Sequence, residues 1–300
     1  WSPKKIIIRS NGTELTFSDG VVACYVRKSQ ALRNALDETA ERELPMLAFP
    51  EIRSWENNHD GWVTEIELNG ILPFVNDIEK ELRDFEPELM LFLPNLRKVQ
   101  ITIITGTQTL QTVYQASKRA HILDENLHVQ TRTITKQAEG EDAVAHEWLV
   151  CWERDVLMFG AGREEERVAY NIEIAVPKDA EQRQALSRTL YNFLPVSGVR
   201  INLPCLIHAT VNLGDNRNEL LVGNSQNEII FKEKLPALMK RFATIIRNAF
   251  DDGNNLVDDR WLPYRLLAAP THCDDRDYVG ALYNSLRNAA DTEPFVPCVD

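Results

Sequence analysis

The chain is short of every feature that would let it span a membrane, coordinate a metal or close around a nucleotide. No apolar run approaches the roughly 18 consecutive residues of a membrane helix, and the opening residues read as a strand, not as a signal peptide. The five cysteines (Cys24, Cys151, Cys205, Cys273 and Cys298) form no CxxC pair and no Cys/His ligand spacing. An odd number of unpatterned cysteines points to reduced thiols in a cytoplasmic protein, so Asn11-Gly12-Thr13 reads as a turn and not as a glycan acceptor. Phosphate-binding signatures are missing as well. Gly160-Ala161-Gly162-Arg163 is too short and lacks the Lys-Ser/Thr pair of a phosphate loop, which leaves a hairpin turn. Positive charge is in deficit: 33 Lys+Arg against 45 Asp+Glu give a net charge of −12. Such a field repels nucleic acid on average and disfavours generic DNA coating, while leaving room for a local basic patch.

What is present is ordinary globular material. A hydrophobic fraction of 44% and a charged fraction of 26% can build a sizeable core without disulfide or metal staples. The 300 residues suggest about two domains. Lys5–Ser10, Thr13–Phe17 and Val21–Val26 read as strands separated by the turn signals Asn11-Gly12 and Asp19-Gly20. A polar helix is expected from Ser29 to Glu43, an irregular crossing between Pro45 and Pro50, and a strand in Gly61–Gly70. Val75, Ile78 and Leu82 fall at helical spacing within Phe74–Phe85. Pro87 then suits the first turn of a short helix that is apolar nearly all round, Leu89–Leu93, so that helix should be buried.

Lys98–Thr105, Leu110–Gln115, Leu127–Lys136, Glu147–Glu153 and Val168–Val176 alternate in the manner of a half-buried antiparallel meander. After a short helix in Asp179–Ser187, the segments Leu190–Pro195 and Gly198–Leu203 lead to a strand over Leu206–Leu213. Asn224-Ser225 caps a long apolar helix that Pro236 should kink or split. A last amphipathic helix is expected over Asp275–Ala290, with Tyr278, Leu282, Tyr283 and Leu286 as its stripe. The predicted fold class is α+β: a β-rich N-terminal part, then a two-layer domain whose sheet is backed by long C-terminal helices.

Few residues stand out as chemistry. In Leu206–Leu221 a strand ends in a loop carrying Asn216 and Arg217. A guanidinium meets phosphate oxygens bidentately and stays charged at any working pH, so the loop suits a phosphate contact. A second reading stands beside it, in which Asp215-Asn216 turns the chain and Arg217 pairs with Glu219 on the surface. His208, inside an apolar strand, reads as structural because no second base or nucleophile stands at a defined offset. His272-Cys273-Asp274-Asp275 offers contiguous ligand types that cannot converge on one ion. Asp251–Asn255 reads as a helix stop and not as a calcium loop, since its glycine comes too early and no closing glutamate follows. Lys232, Lys234, Lys240, Arg241 and Arg247 form a solvated face with a partner or nucleic acid as the alternative. Trp148, Trp152 and Trp261 read as core or interface residues.

Several blocks resemble a known family. PELMLFLPNLRKVQI (Pro87–Ile101) is similar to the segment that follows the ATP-binding domain of sacsin and its bacterial relatives. TLYNFLPVSGVRINLPCLIHATVNLGDNRNELL (Thr189–Leu221) resembles their later block, Asn227 with Ile229–Ile230 the motif after it, and EPFVPCVD (Glu293–Asp300) the segment that follows the final helix. Sacsin-like proteins belong to the GHKL class, with the ninety-kilodalton heat-shock chaperones, DNA gyrase B and MutL. The resemblance implies residues 1–70 as the tail of an ATP-binding domain and 71–300 as a middle, transducer-like domain.

It also implies a role for Arg217 in reaching the γ-phosphate of ATP when the protein's own N-terminal domain docks, with Asn216 beside it either holding the loop or contacting phosphate. ATP and Mg2+ would be bound mainly by that domain. Its catalytic glutamate, Mg-binding asparagine and Asp-x-Gly-x-Gly block are not in this sequence, so the chain is expected to be a piece of a longer polypeptide that is not catalytic alone. The chain also departs from the chaperones at Leu221, where they carry a glutamine. A homodimer follows by analogy, and the client, protein or nucleic acid, stays open. The alternatives are a non-catalytic interaction scaffold and a component of a nucleic-acid-linked defence or repair ATPase.

Overall fold

The structure, a computed structural model, describes residues 4–10, 12–30, 50–56, 64–69, 75–105, 108–124, 127–159, 166–253, 256–268 and 277–292. The fold is α+β, and its contacts separate into two compact units, residues 1–85 and 86–300. The expected helix at Ser29–Glu43, the crossing that begins at Pro45, the Gly160–Arg163 turn and the His272–Asp275 run lie wholly or largely outside the described residues.

The first unit is built on an antiparallel sheet in the order β3-β2-β1-β4, with β1 Lys5–Ser10, β2 Thr13–Ser18, β3 Glu51–Ser54 and β4 Thr64–Asn69. Ile6 pairs with Phe17 and Ile8 with Leu15, and the Gly12 turn at φ +76° closes the hairpin. Arg9 ties two neighbouring strands together, with Nε 2.6 Å from Glu14 and one terminal nitrogen 3.0 Å from both Glu65 and Glu67. One expectation fails here. Val21–Val26 is not a strand but part of helix α1, Asp19–Lys28. Ser18 Oγ accepts from the Val21 N–H at 3.3 Å and caps the helix, Asp19 sits in the first turn, and Arg27 and Lys28 sit in the last. Charges so placed oppose the helix dipole. The apolar residues that matter are Val22 and Val26, four apart and both buried. Helix α2, Val75–Arg83, forms as expected, yet it buries none of its side chains.

The second unit holds an eight-stranded mixed sheet in the order β11-β10-β12-β9-β8-β7-β6-β5. Its strands are β5 Lys98–Thr105, β6 Gln108–Asp124, β7 Leu127–Ala138, β8 Val144–Phe159, β9 Glu166–Pro177, β10 Thr189–Asn192, β11 Leu194–Arg200 and β12 Leu206–Ala209. β5 to β9 form the antiparallel meander, with longer strands than the alternation shows. β12 inserts between β9, antiparallel, and β10, parallel.

One face of this sheet carries Val129, Leu149, Cys151, Ile172, Ile174 and Ile207 against the C-terminal helices. Those are α5 Ser225–Ile229, α6 Leu235–Asp251, α7 Leu262–Leu267 and α8 Tyr278–Thr292; the short α4 Ala180–Gln184 joins β9 to β10. Phe231, Leu238, Phe242, Ile246, Leu266, Leu282 and Leu286 complete that core. The opposite face meets the short helix α3, Leu89–Phe92, whose Phe92 ring stacks on His208 5.6 Å away.

Pro236 does not kink the long helix. It sits in the first turn of α6, and the irregularity lies before it as a π-helical turn, Ile230–Lys234. A proline has no N–H to offer the carbonyl four residues back, here that of Lys232. Ser285 of α8 supplies the missing donor, Oγ to Lys232 O at 3.1 Å. Gly253, at φ +73°, ends α6 with its N–H on Phe250 O, so Asp251–Gly253 is the expected helix stop.

Candidate functional site

The loop after β12 is held by side-chain amides where sheet pairing stops. The strand expected to run to Leu213 ends at Ala209. Beyond it, Asn227, fully buried at the start of the C-terminal helices, donates from Nδ2 to Asn212 O at 2.8 Å and accepts the Asn212 N–H on Oδ1 at 2.8 Å. Asn212 Nδ2 in turn donates to Asn224 Oδ1 and Gln226 Oε1 (3.1 and 2.9 Å), and Gln226 Nε2 donates to Thr210 O at 2.9 Å. Tyr278 of α8 donates its hydroxyl to Leu221 O at 2.9 Å. Each amide replaces a ladder partner, so backbone groups that leave the sheet stay satisfied.

On this base the chain makes a tight turn. Leu213 bridges Leu220, Gly214 N donates to Glu219 O, and Arg217 N donates to Gly214 O, both at 2.9 Å. The turn is tied down to β11, where Gly198 N donates to Asn218 O at 2.9 Å and Ser197 Oγ to Asn218 Oδ1 at 3.1 Å. A Cβ at Gly198 would collide with that Asn218 carbonyl oxygen, so glycine is required by the close approach. Asn216 braces the turn from within: its Oδ1 accepts the Asn218 N–H at 3.0 Å and its Nδ2 donates to Glu219 Oε1 at 3.3 Å.

Arg217 stands at the tip, exposed, with φ +56°. The surface pair with Glu219 does not form; Asn216 takes that carboxylate instead. Among the described residues the Arg217 guanidinium has neither an ion pair nor a hydrogen bond. It lines an open groove of about 590 Å3 together with Asn192, Phe193, Leu194, Val211 and Asn212. Phe193 also has a positive φ, +64°, so two of the three such non-glycine residues described border one groove. A left-handed non-glycine residue costs on the order of 1 to 3 kcal/mol and persists only when its surroundings impose it.

His208 lies beneath this rim and is structural. It is fully buried between Phe92 and Phe193, and its Nδ1 accepts the Phe193 N–H at 3.3 Å. Burial drives its pKa down from 6.5 to about 4, outweighing Glu173, which stands opposite it in the β9–β12 pairing. Among the described residues its Nε2 has no partner. Glu173 is itself wholly buried and accepts from Arg132 (2.9 Å), Arg154 (3.3 Å) and Asn171 Nδ2 (3.0 Å). No motif marks this cluster in the sequence; its one signal is a glutamate inside Asn171-Ile172-Glu173-Ile174, too short a cue to reveal that both faces of β9 are covered.

The remaining candidates have ordinary surroundings. Burial pushes the Cys205 thiol up to about 12 and the Cys151 thiol up as well, so neither is a poised nucleophile. The basic helix face is partly spent: Lys232 pairs with Glu228, Arg241 with Glu153, and Lys234 lies over the Tyr170 ring. Trp148 is core, while Trp152 stacks on His128. Among the described residues no group of three or more His, Cys, Asp or Glu side chains could hold a metal ion, and no helix is long and apolar enough to cross a membrane.

Comparison with protein-family models, curated proteins and solved structures finds no match to this chain.

Proposed function

We propose that this chain is the middle, transducer-like region of a sacsin-like GHKL ATPase and that Arg217 is its contribution to hydrolysis. The observation that carries the reading is an exposed arginine, unpaired among the described residues and at a strained backbone angle, on a tight turn whose base is anchored by the Asn227–Asn212 amide pair. A surface arginine without a task needs no such support. The groove offers a phosphate one guanidinium and a few amide groups. That is enough to touch a nucleotide presented by another domain and too little to hold ATP with Mg2+.

In this reading the preceding domain binds ATP and Mg2+ and supplies the carboxylate that activates water. Arg217 stabilises charge on the γ-phosphate as the domains close, much as an arginine finger does, and so couples nucleotide state to domain orientation in a chaperone-like cycle. Asn216 serves the site by bracing the turn. The test uses the protein extended to include its ATP-binding domain. Arg217→Ala is expected to slow phosphate release about a hundredfold while ATP affinity hardly changes. Arg217→Lys should recover little, because an ammonium lacks the planar fork. Full turnover in Arg217→Ala with ATP still bound would sink the reading and favour an interaction scaffold.

A further inference from the structure

A cavity of about 360 Å3 opens between the α3 segment and the face of β6 and β7 that turns away from the C-terminal helices. Leu91, Leu93, Leu96 and Ile134 give it apolar walls. Arg97, Lys118 and Arg132 also line it, and no carboxylate does so among the described residues. The backbone brings these cations together. Ala116 N donates to Arg97 O at 2.8 Å, and Lys118 stands directly opposite Arg132 in the β6–β7 ladder.

Like charges facing each other across a ladder are destabilising. Arg132 is partly neutralised from behind by Glu173, but that carboxylate also serves Arg154. Arg97 and Lys118 have no ion-pair partner among the described residues. In a chain whose carboxylates outnumber its Lys and Arg by 45 to 33, a cavity lined by cations alone departs from the average surface. Its volume, and its pairing of apolar walls with a few convergent polar groups, are those of a small-ligand site.

We infer that this cavity binds a small amphipathic anion, a carboxylate or phosphate ester. The charged head lies between Arg97 and Lys118, and the apolar body lies along Leu91, Leu96 and Ile134. The anion supplies the negative charge that the Lys118–Arg132 juxtaposition lacks. The inference does not depend on the role of Arg217.

Calorimetric titration of the 300-residue chain with octanoate, octyl phosphate and inorganic phosphate tests it. One molecule of octanoate or octyl phosphate should bind per chain, and the tighter of the two identifies the head group. Binding should weaken about tenfold in Arg97→Gln and in Lys118→Gln, and again in about 0.5 M salt. Lys118→Gln should also raise the thermal midpoint of the ligand-free protein by relieving the cross-strand repulsion. A variant that binds worse yet is more stable is not what a merely structural lysine produces. Ala116→Leu, which fills the cavity without changing charge, should also weaken binding. The inference is overturned if neither octyl compound binds at millimolar concentration or if both cation variants bind as well as the parent. Inorganic phosphate binding as tightly as octyl phosphate would equally overturn it.

Discussion

Glu173 and His208 face each other across β9 and β12, yet the sheet treats them oppositely. The carboxylate keeps two arginines and an amide, whereas the imidazole keeps one N–H donor and two aromatic rings. A pH dependence follows. The unfolded chain protonates His208 near 6.5, while the folded chain resists until about 4. Between those values the unfolded state takes up the proton first, so stability is fully present above the window and falls as pH drops through it. The loss from this one group between pH 6.5 and 5 should be about 2 kcal/mol. His208→Phe, which keeps the stacking volume, should flatten the fall in urea midpoint over that range; an unchanged slope would contradict the assignment. That His208 is structural was legible from its apolar neighbours in Leu206–Ala209. The partners of Glu173 were not, because alternation along β9 points it to the face away from the C-terminal helices and cannot show that α3 and two arginines wait there.

Strands with long alternation and helices with strong apolar stripes lie where their patterns put them, as β5, the meander, α3 and α8 show. Errors fell where local signals competed. Asp19-Gly20 looked like a hairpin turn, but the Ser18 cap and the Val22/Val26 spacing made it the start of α1. Pro236 looks like a break, but the chain before it makes a π-helical turn, and the Ser285 hydroxyl gives Lys232 O the donor that the proline lacks. The segment Thr210–Leu213 looked like more of β12. Its true support is Asn227, which no neighbour in sequence announces. Asn227→Ala should therefore leave the Asn212 N–H unpaired, leave Asn212 O with the Leu221 N–H alone, and lower stability by about 2 kcal/mol, measured by urea unfolding. It should also lower any activity that depends on Arg217, since the loop loses its base. A variant as stable as the parent would show that the amide network is not what holds the turn.

The core that joins the eight-stranded sheet to the C-terminal helices is drawn entirely from residues after Glu86. Residues 86–300 expressed alone should accordingly unfold cooperatively, with a sharp thermal transition followed by circular dichroism; a broad, non-cooperative melt would mean that the first unit is needed to complete that core. Composition and periodicity were sufficient for the α+β class and for Arg217 on a loop after an apolar strand. Those properties depend on near neighbours, whose spacing is written along the chain. Which strand sits beside which, the strain at Phe193 and Arg217, the burial of Glu173, and the meeting of Arg97, Lys118 and Arg132 around one cavity arise from residues far apart in sequence. Such contacts exist once the sheet has chosen its order and register, a choice made by the sum of packing over the entire unit and carried by no single segment.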